Sequence, residues 1–218
     1  VLRDGGEQNL RDYLIDTAAR LIAERGTAGL AVRDITRAAQ VADGVLYNYF
    51  EDKEDLLAHA LLFHVGAVMG ATAPMPVAGT GTLADNLRQF VANGLQVLIR
   101  ISPAFAGLVS QPKVLTRFRA MIGGDAAFGV ATPGERTEPP ANPQSLPDML
   151  TAYLSAEQHL GRVDANADVV AAARVIVGAI HGQVLPPLLF NPPGTTVTIA
   201  PDFAERLIHT VLNGIAHG

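Results

Sequence analysis

The chain has 218 residues, 49% of them hydrophobic, with 16 basic and 21 acidic side chains and a formal net charge of −5. That is enough apolar material for one large domain or two small ones. Without cysteine the chain has no disulfide, thiol nucleophile or cysteine-ligated metal, which suits a cytoplasmic protein. No secretory signal is visible, and a chain that opens on Val1 is expected to follow a start methionine and a short arm.

Leu14, Ala18, Leu21 and Ile22 recur at helical spacing, and Gly26 offers a left-handed stop. A second helix follows, with Val32, Ile35, Ala38 and Ala39 on one face. Gln40-Val41-Ala42-Asp43 breaks that pattern and supplies a turn, after which Gly44 to Phe50 predicts a short helix carrying Tyr47, Asn48 and Tyr49. Asp52 then caps the next helix, with Asp55 three residues on in a capping-box arrangement. Two short helices crossing steeply about a tight turn form a helix-turn-helix, whose second helix can enter the DNA major groove.

These residues resemble the N-terminal DNA-binding domain of the TetR family of bacterial transcriptional repressors. The counterparts of the family pattern are Gly26, Val32-Arg33-Asp34-Ile35, Val41, Gly44, Leu46-Tyr47, Tyr49-Phe50, and Lys53-Glu54 with Leu56, and the resemblance spans residues 9–60. It implies an all-α fold, with a three-helix DNA-binding domain at residues 1–55 and a larger helical ligand-binding and dimerisation domain at 56–218. Four positions depart from the pattern. Ala31 stands where a hydroxyl residue usually caps the second helix, Gln40 replaces the turn glycine, Ala42 a common serine, and Asp43 a position that is often basic.

Chemistry assigns roles within this stretch. Gly44 lets a backbone approach DNA where free N–H groups favour phosphate. Val45 suits a thymine methyl and Asn48 an adenine edge. Tyr47, Tyr49, Lys53 and Arg33 suit phosphates, which set register without reading sequence. Ile35, Val41, Leu46 and Phe50 are expected in the core. Charge argues the other way. Residues 1–55 hold seven cations and eleven anions, so the basic footprint of a nucleic-acid binder is missing.

Residues 56–84 and 175–201 contain no Asp, Glu, Lys or Arg. The first begins with an apolar run long enough to span a membrane, but His59, His64, two glycines and Pro74 favour a helix buried on several faces, so no membrane partner is expected. Leu83, Leu87, Phe90, Val91, Leu95 and Leu98 predict an amphipathic helix ending near Pro103, with helical pieces at 104–110 and 113–122. Residues 123–147, with Pro133, Pro139, Pro140, Pro143 and Pro147, predict a long loop or lid. Helix resumes at 147–160, again from about Asn166 to Leu185, and last from near Pro201 through Phe203, Leu207, Ile208, Val211, Leu212 and Ile215.

In the family this part binds a small molecule and forms the dimer. Candidate pocket residues are Leu62, Phe63, Val68, Met69, Phe90, Leu98, Phe105, Phe118, Met121, Met149 and Tyr153, with His64, Asn93, Gln96 and His181 for hydrogen bonds. By resemblance, Ala173, Val177, His181, Leu207 and Val211 lie near the dimer interface, and plain core packing is the alternative for each. The scarcity of polar residues points to a lipophilic effector. No cofactor or metal is expected, since His59 and His64 fall on different helix faces. No phosphate loop or nucleophile motif supports an enzyme. The reading is a cytoplasmic, homodimeric repressor that binds palindromic double-stranded operator DNA and is released by a small molecule. The acidic N-terminal part keeps open a helical interaction protein with a degenerate helix-turn-helix.

Overall fold

The stripe Leu14, Ala18, Leu21 and Ile22 is buried along α1 (Gly6–Arg25), which Gly26 ends at φ +73° with its N–H on Ile22 O at 2.8 Å. The computed structural model describes residues 6–122, 145–190 and 197–214, and among these every regular element is helical. Chain order continues with α2 (Val32–Ala39), α3 (Asp43–Leu46), α4 (Lys53–Gly70) and α5 (Leu83–Ala106). A 3₁₀ turn (Gly107–Ser110), α6 (Pro112–Met121), α7 (Leu146–His159), α8 (Val169–Phe190) and α9 (Phe203–Asn213) complete it. Residues 123–144 of the expected loop, and Ile215, lie outside the described residues.

Contacts group the chain into two units, the first Val1–Ala71 with Arg100–Ile122, the second Thr72–Ile99 with Gly123–Gly218. The first unit takes in α4 and α6, beyond the boundary expected at residue 55. Burial explains why. Leu56, Leu57 and Leu61 of α4 are fully buried in one cluster with Leu14 and Ile22 of α1, and Val114 and Phe118 of α6 join it. The apolar run at the start of the 56–84 segment is therefore core of this unit. In the second unit, Leu87, Phe90 and Val91 of α5, Leu150 and Leu154 of α7, Ile176, Ile180 and Val184 of α8 and Ile208 of α9 are buried.

Three helix ends differ from expectation. α5 passes through Pro103 to Ala106. The lost hydrogen bond and ring clash cost about 3 kcal/mol. Burial of Ala104 and a bond from Thr27 Oγ1 to its carbonyl (3.1 Å) hold the last turn nonetheless. α8 starts at Val169, because Asp168 Oδ1 accepts the Ala171 N–H at 2.9 Å and so caps it. It then runs through Pro186 and Pro187 to Phe190. The carbonyls those prolines cannot serve belong to exposed Gly182 and half-buried Gln183, within reach of water.

The turn after α2 places Gln40 at φ +58°, ψ 40°, the left-handed region. A side chain there costs roughly 1–2 kcal/mol, against roughly 0.5–1 kcal/mol for the added freedom of glycine in the unfolded chain. Gln40→Gly is expected to raise stability by about 0.5–1 kcal/mol, read from the denaturant midpoint. A lower midpoint would contradict the strain assigned to this turn.

Candidate nucleic-acid interface

Leu46 and Phe50 are buried at 0% and 3% exposure, and they set which side chains between them face outward. The expected 44–50 helix is shorter than its pattern suggested. α3 is one turn long, and tight turns follow, with Asn48 N–H on Val45 O (3.2 Å) and Tyr49 N–H on Leu46 O (3.1 Å). The path tightens because Asp52, only two residues beyond Phe50, is already extended as the cap of α4. Tyr47 is 57% exposed, Asn48 is exposed, and Tyr49 leans on the core. Tyr47, Asn48 and Lys53 have no side-chain partner among the described residues. Val45 is half-buried, and Gly44 is exposed with open space where a Cβ would stand.

Asp43 has a structural task in place of a basic one. Its Oδ1 accepts from Thr36 Oγ1 at 2.5 Å and its Oδ2 lies 3.4 Å from Arg33 Nε, tying α3 to α2. The Arg33 side chain is 83% exposed, so this pair is weak and the guanidinium remains available to a phosphate. At Ala31 half of a capping box survives, since its N–H donates to Asp34 Oδ2 at 2.9 Å. Arg11 stacks on the Phe50 ring, 5.1 Å from its centroid.

The start of α4 gathers acids. Asp52 Oδ1 accepts the Asp55 N–H at 2.8 Å, and Asp55 Oδ2 accepts the Glu51 N–H at 3.2 Å, one residue short of a full capping box. Arg117 of α6 reaches this cluster, with Nη1 2.6 Å from Asp52 Oδ1, Nη2 3.1 Å from Oδ2, and Nη2 3.0 Å from Glu51 Oε2. Arg100, Lys113, Arg117 and Arg119 all belong to the first unit, which therefore carries eleven cations and eleven anions. The chain's whole net charge of −5 falls on the second unit. No local pattern near residue 50 signals Arg117, so sequence reasoning missed it.

It also missed the joint at the end of α1. Gln111 Nε2 donates to Thr27 O at 2.6 Å, and a Cβ on Gly107 would stand 2.5 Å from both Ala28 N and Thr27 Oγ1. A Cβ on Gly26 would stand 2.9 Å from Pro103 O.

The remaining candidates scatter. In the first unit, Phe118 is core, stacked edge-on with Phe105 at 5.5 Å, and Met121 packs on the same cluster. Phe63 and Met69 are exposed, and His64 Nε2 lies 3.4 Å from Arg100 O. In the second unit, Phe90 and Leu98 are buried, Met149 is half-buried, Gln96 is exposed, and Asn93 Nδ2 donates to Ala73 O at 3.3 Å. The Tyr153 hydroxyl donates to the fully buried Glu157 at 2.6 Å, and burial, with that bond, pushes its pKa up to about 12. Arg162 Nε lies 3.2 Å from the other Glu157 oxygen, close enough to pair in charge though not aligned as a hydrogen bond. An open groove of about 760 Å³ in this unit is lined by Ser155, Gln158, Val169, Arg174 and Val175, none of them a pocket candidate.

On α8 the inward stripe is Ala173, Ile176, Val177, Ile180 and Val184. Ala173 and Val177 therefore spend their surface inside the protomer and have none left for a partner. Ala171, Val175, Gly178, Gly182 and Leu185 face outward instead. His181 Nδ1–H donates to Val177 O at 2.8 Å, and Leu207 and Val211 of α9 are half-buried.

Residues 14–60 match the model of the family described as "Bacterial regulatory proteins, tetR family". The chain is 47% identical over 45 residues to the HTH-type transcriptional repressor DhaR of Mycobacterium sp. strain GP1, a match covering 21% of this chain and 23% of that protein. Its fold is similar to the fatty acid degradation regulator FadR from Bacillus halodurans, with a TM-score of 0.58, 19% identity and 100% of each chain covered. It is also similar to FadR from Bacillus subtilis in complex with stearoyl-CoA, with a TM-score of 0.55, 18% identity, and 94% of this chain and 99% of that one covered.

Gly107→Ala is expected to destabilise the fold by about 1–3 kcal/mol, because backbone and a hydroxyl must move to admit the methyl group. Thermal unfolding checks this. An unchanged Tm would mean that the joint between α1 and α5 yields freely.

Proposed function

Because residues 14–60 match the TetR-family model and the fold is similar to that of a TetR-family transcriptional regulator, we propose a cytoplasmic, dimeric transcriptional repressor that binds palindromic operator DNA. The observation that carries this reading is the outward set Gly44, Tyr47, Asn48 and Lys53. Buried Leu46 and Phe50 hold this stretch in place, and the side chains of Tyr47, Asn48 and Lys53 have no partner among the described residues. Asn48 and Val45 would read base edges, while Tyr47, Tyr49, Lys53 and Arg33 would hold phosphates. Gly44 needs neither a positive φ nor room for a neighbour in the protein itself, so its lack of a side chain serves something outside.

The outward stripe of α8 supports the dimer. Val175 is 57% exposed, and Gly178 and Gly182, one turn apart, would let a second α8 approach closely. α8 is also apolar enough by length and composition to cross a membrane. A partner helix accounts for its exposed face within the fold the chain adopts. Half-sites would lie about 34 Å apart, or a multiple of that. A lipophilic effector suits the largely apolar helices, and a structural neighbour was crystallised with stearoyl-CoA. Such a ligand acts by preferring the DNA-free state.

Selection against a random-duplex library at physiological salt is expected to enrich a palindrome, and enrichment of nothing by a folded dimer sinks the repressor. On that operator Gly44→Ala is expected to weaken binding about tenfold or more, while stability stays equal or rises by up to about 1 kcal/mol. A matched loss of stability would make Gly44 a folding residue. Val175→Glu is expected to yield monomers with unchanged helicity, read by sedimentation. A stable dimer of this variant would move the interface elsewhere.

A further inference from the structure

We propose that Arg117 is a positioning residue for DNA binding, the counter-ion that makes the start of α4 compatible with a phosphate backbone. This rests on the repressor reading. Glu51, Asp52, Glu54 and Asp55 surround the single cation Lys53, so five consecutive residues carry a formal charge of −3 next to Tyr49. Left alone, that cluster would repel the phosphates that Tyr49 and Lys53 are placed to hold.

Arg117 answers this charge from another part of the chain. Its guanidinium forks onto both oxygens of Asp52 at 2.6 and 3.1 Å, reaches Glu51 Oε2 at 3.0 Å and lies 3.9 Å from Asp55 Oδ1. The planar fork suits several carboxylate oxygens at once, which an ammonium group would serve only as a point charge. The aim of the side chain is fixed by packing. Val114 and Phe118, on the same helix face, are buried at 0% and 2%, so α6 cannot rotate without breaking the core. The Arg117 side chain is 29% exposed and that of Glu51 81%. The function of the contact is therefore local charge more than stability.

The test is operator binding across a salt series by wild type, Arg117→Gln, Arg117→Lys, Glu51→Gln, and Glu51→Gln with Arg117→Gln. Arg117→Gln is expected to lose about tenfold in affinity at low salt, with the deficit shrinking as salt screens the exposed acids. A merely structural defect would persist at every salt concentration. Arg117→Lys is expected to lose less than Arg117→Gln, since it keeps the charge though not the fork. Glu51→Gln is expected to be near neutral alone and to recover part of the loss beside Arg117→Gln, a coupling that holds even if the single Arg117 variant is less stable. Wild type that binds DNA while Arg117→Gln keeps its affinity and salt slope overturns the role of Arg117 alone. Equal losses for Arg117→Lys and Arg117→Gln, or no recovery with Glu51→Gln, overturn it as well. Wild type that binds no duplex removes the repressor reading, and this proposal with it.

Discussion

Leu56, Leu57 and Leu61 of α4 meet Leu14, Ala18 and Ile22 of α1 in one cluster where all six are at zero exposure, and the first unit is organised around that contact. It joins the helix that follows the α2–α3 pair to the helix that precedes it. Each of these leucines would cost about 2–5 kcal/mol to truncate, a large share of the stability of an ordinary domain. With α1 and α4 held, α2 and α3 have little choice of position. Ile35 and Leu46, both at zero exposure, drop into the same cluster.

Polar contacts then refine what the apolar cluster has placed. Asp43 ties the turn between α2 and α3 to Thr36, and Asp52 caps α4. Thr27 fastens the end of α1 to Ala104 and Gln111. Each is worth about 1 kcal/mol, too little to make the fold but enough to fix angles that a DNA groove would test. The two close approaches, Gly26 on Pro103 and Gly107 on Thr27 and Ala28, serve the same end by removing side chains where backbones must touch.

Charge changes meaning between chain and fold. Counted along residues 1–55, the N-terminal part is acidic. Counted over the unit that packs together, it is neutral, because residues 100–122 add four cations and no anion. Arg117 brings one of those cations within hydrogen-bond distance of Glu51 and Asp52. The objection that composition raises against DNA binding is thus much weaker in the folded unit, where cation and anion counts balance.

Short-range pattern alone determined a good deal. Helical spacing located α1 and α2, Gly26 marked the stop of α1 and Asp52 the start of α4, and the order Gly44, Leu46, Tyr47, Tyr49, Phe50 separated inward from outward residues within one turn. These signals are local, set by 3.6-residue periodicity and by backbone groups that need a cap, so neighbours in sequence carry them. Only the tertiary structure decided that α5 runs through Pro103, that Ala173 and Val177 face inward while Val175 faces out, and that Arg117 belongs with Asp52. α8 is apolar nearly all round, so its periodicity could not say which stripe is core. The pairing of residue 117 with residue 52 depends on packing between helices far apart in the chain, which leaves no trace in the residues beside either one.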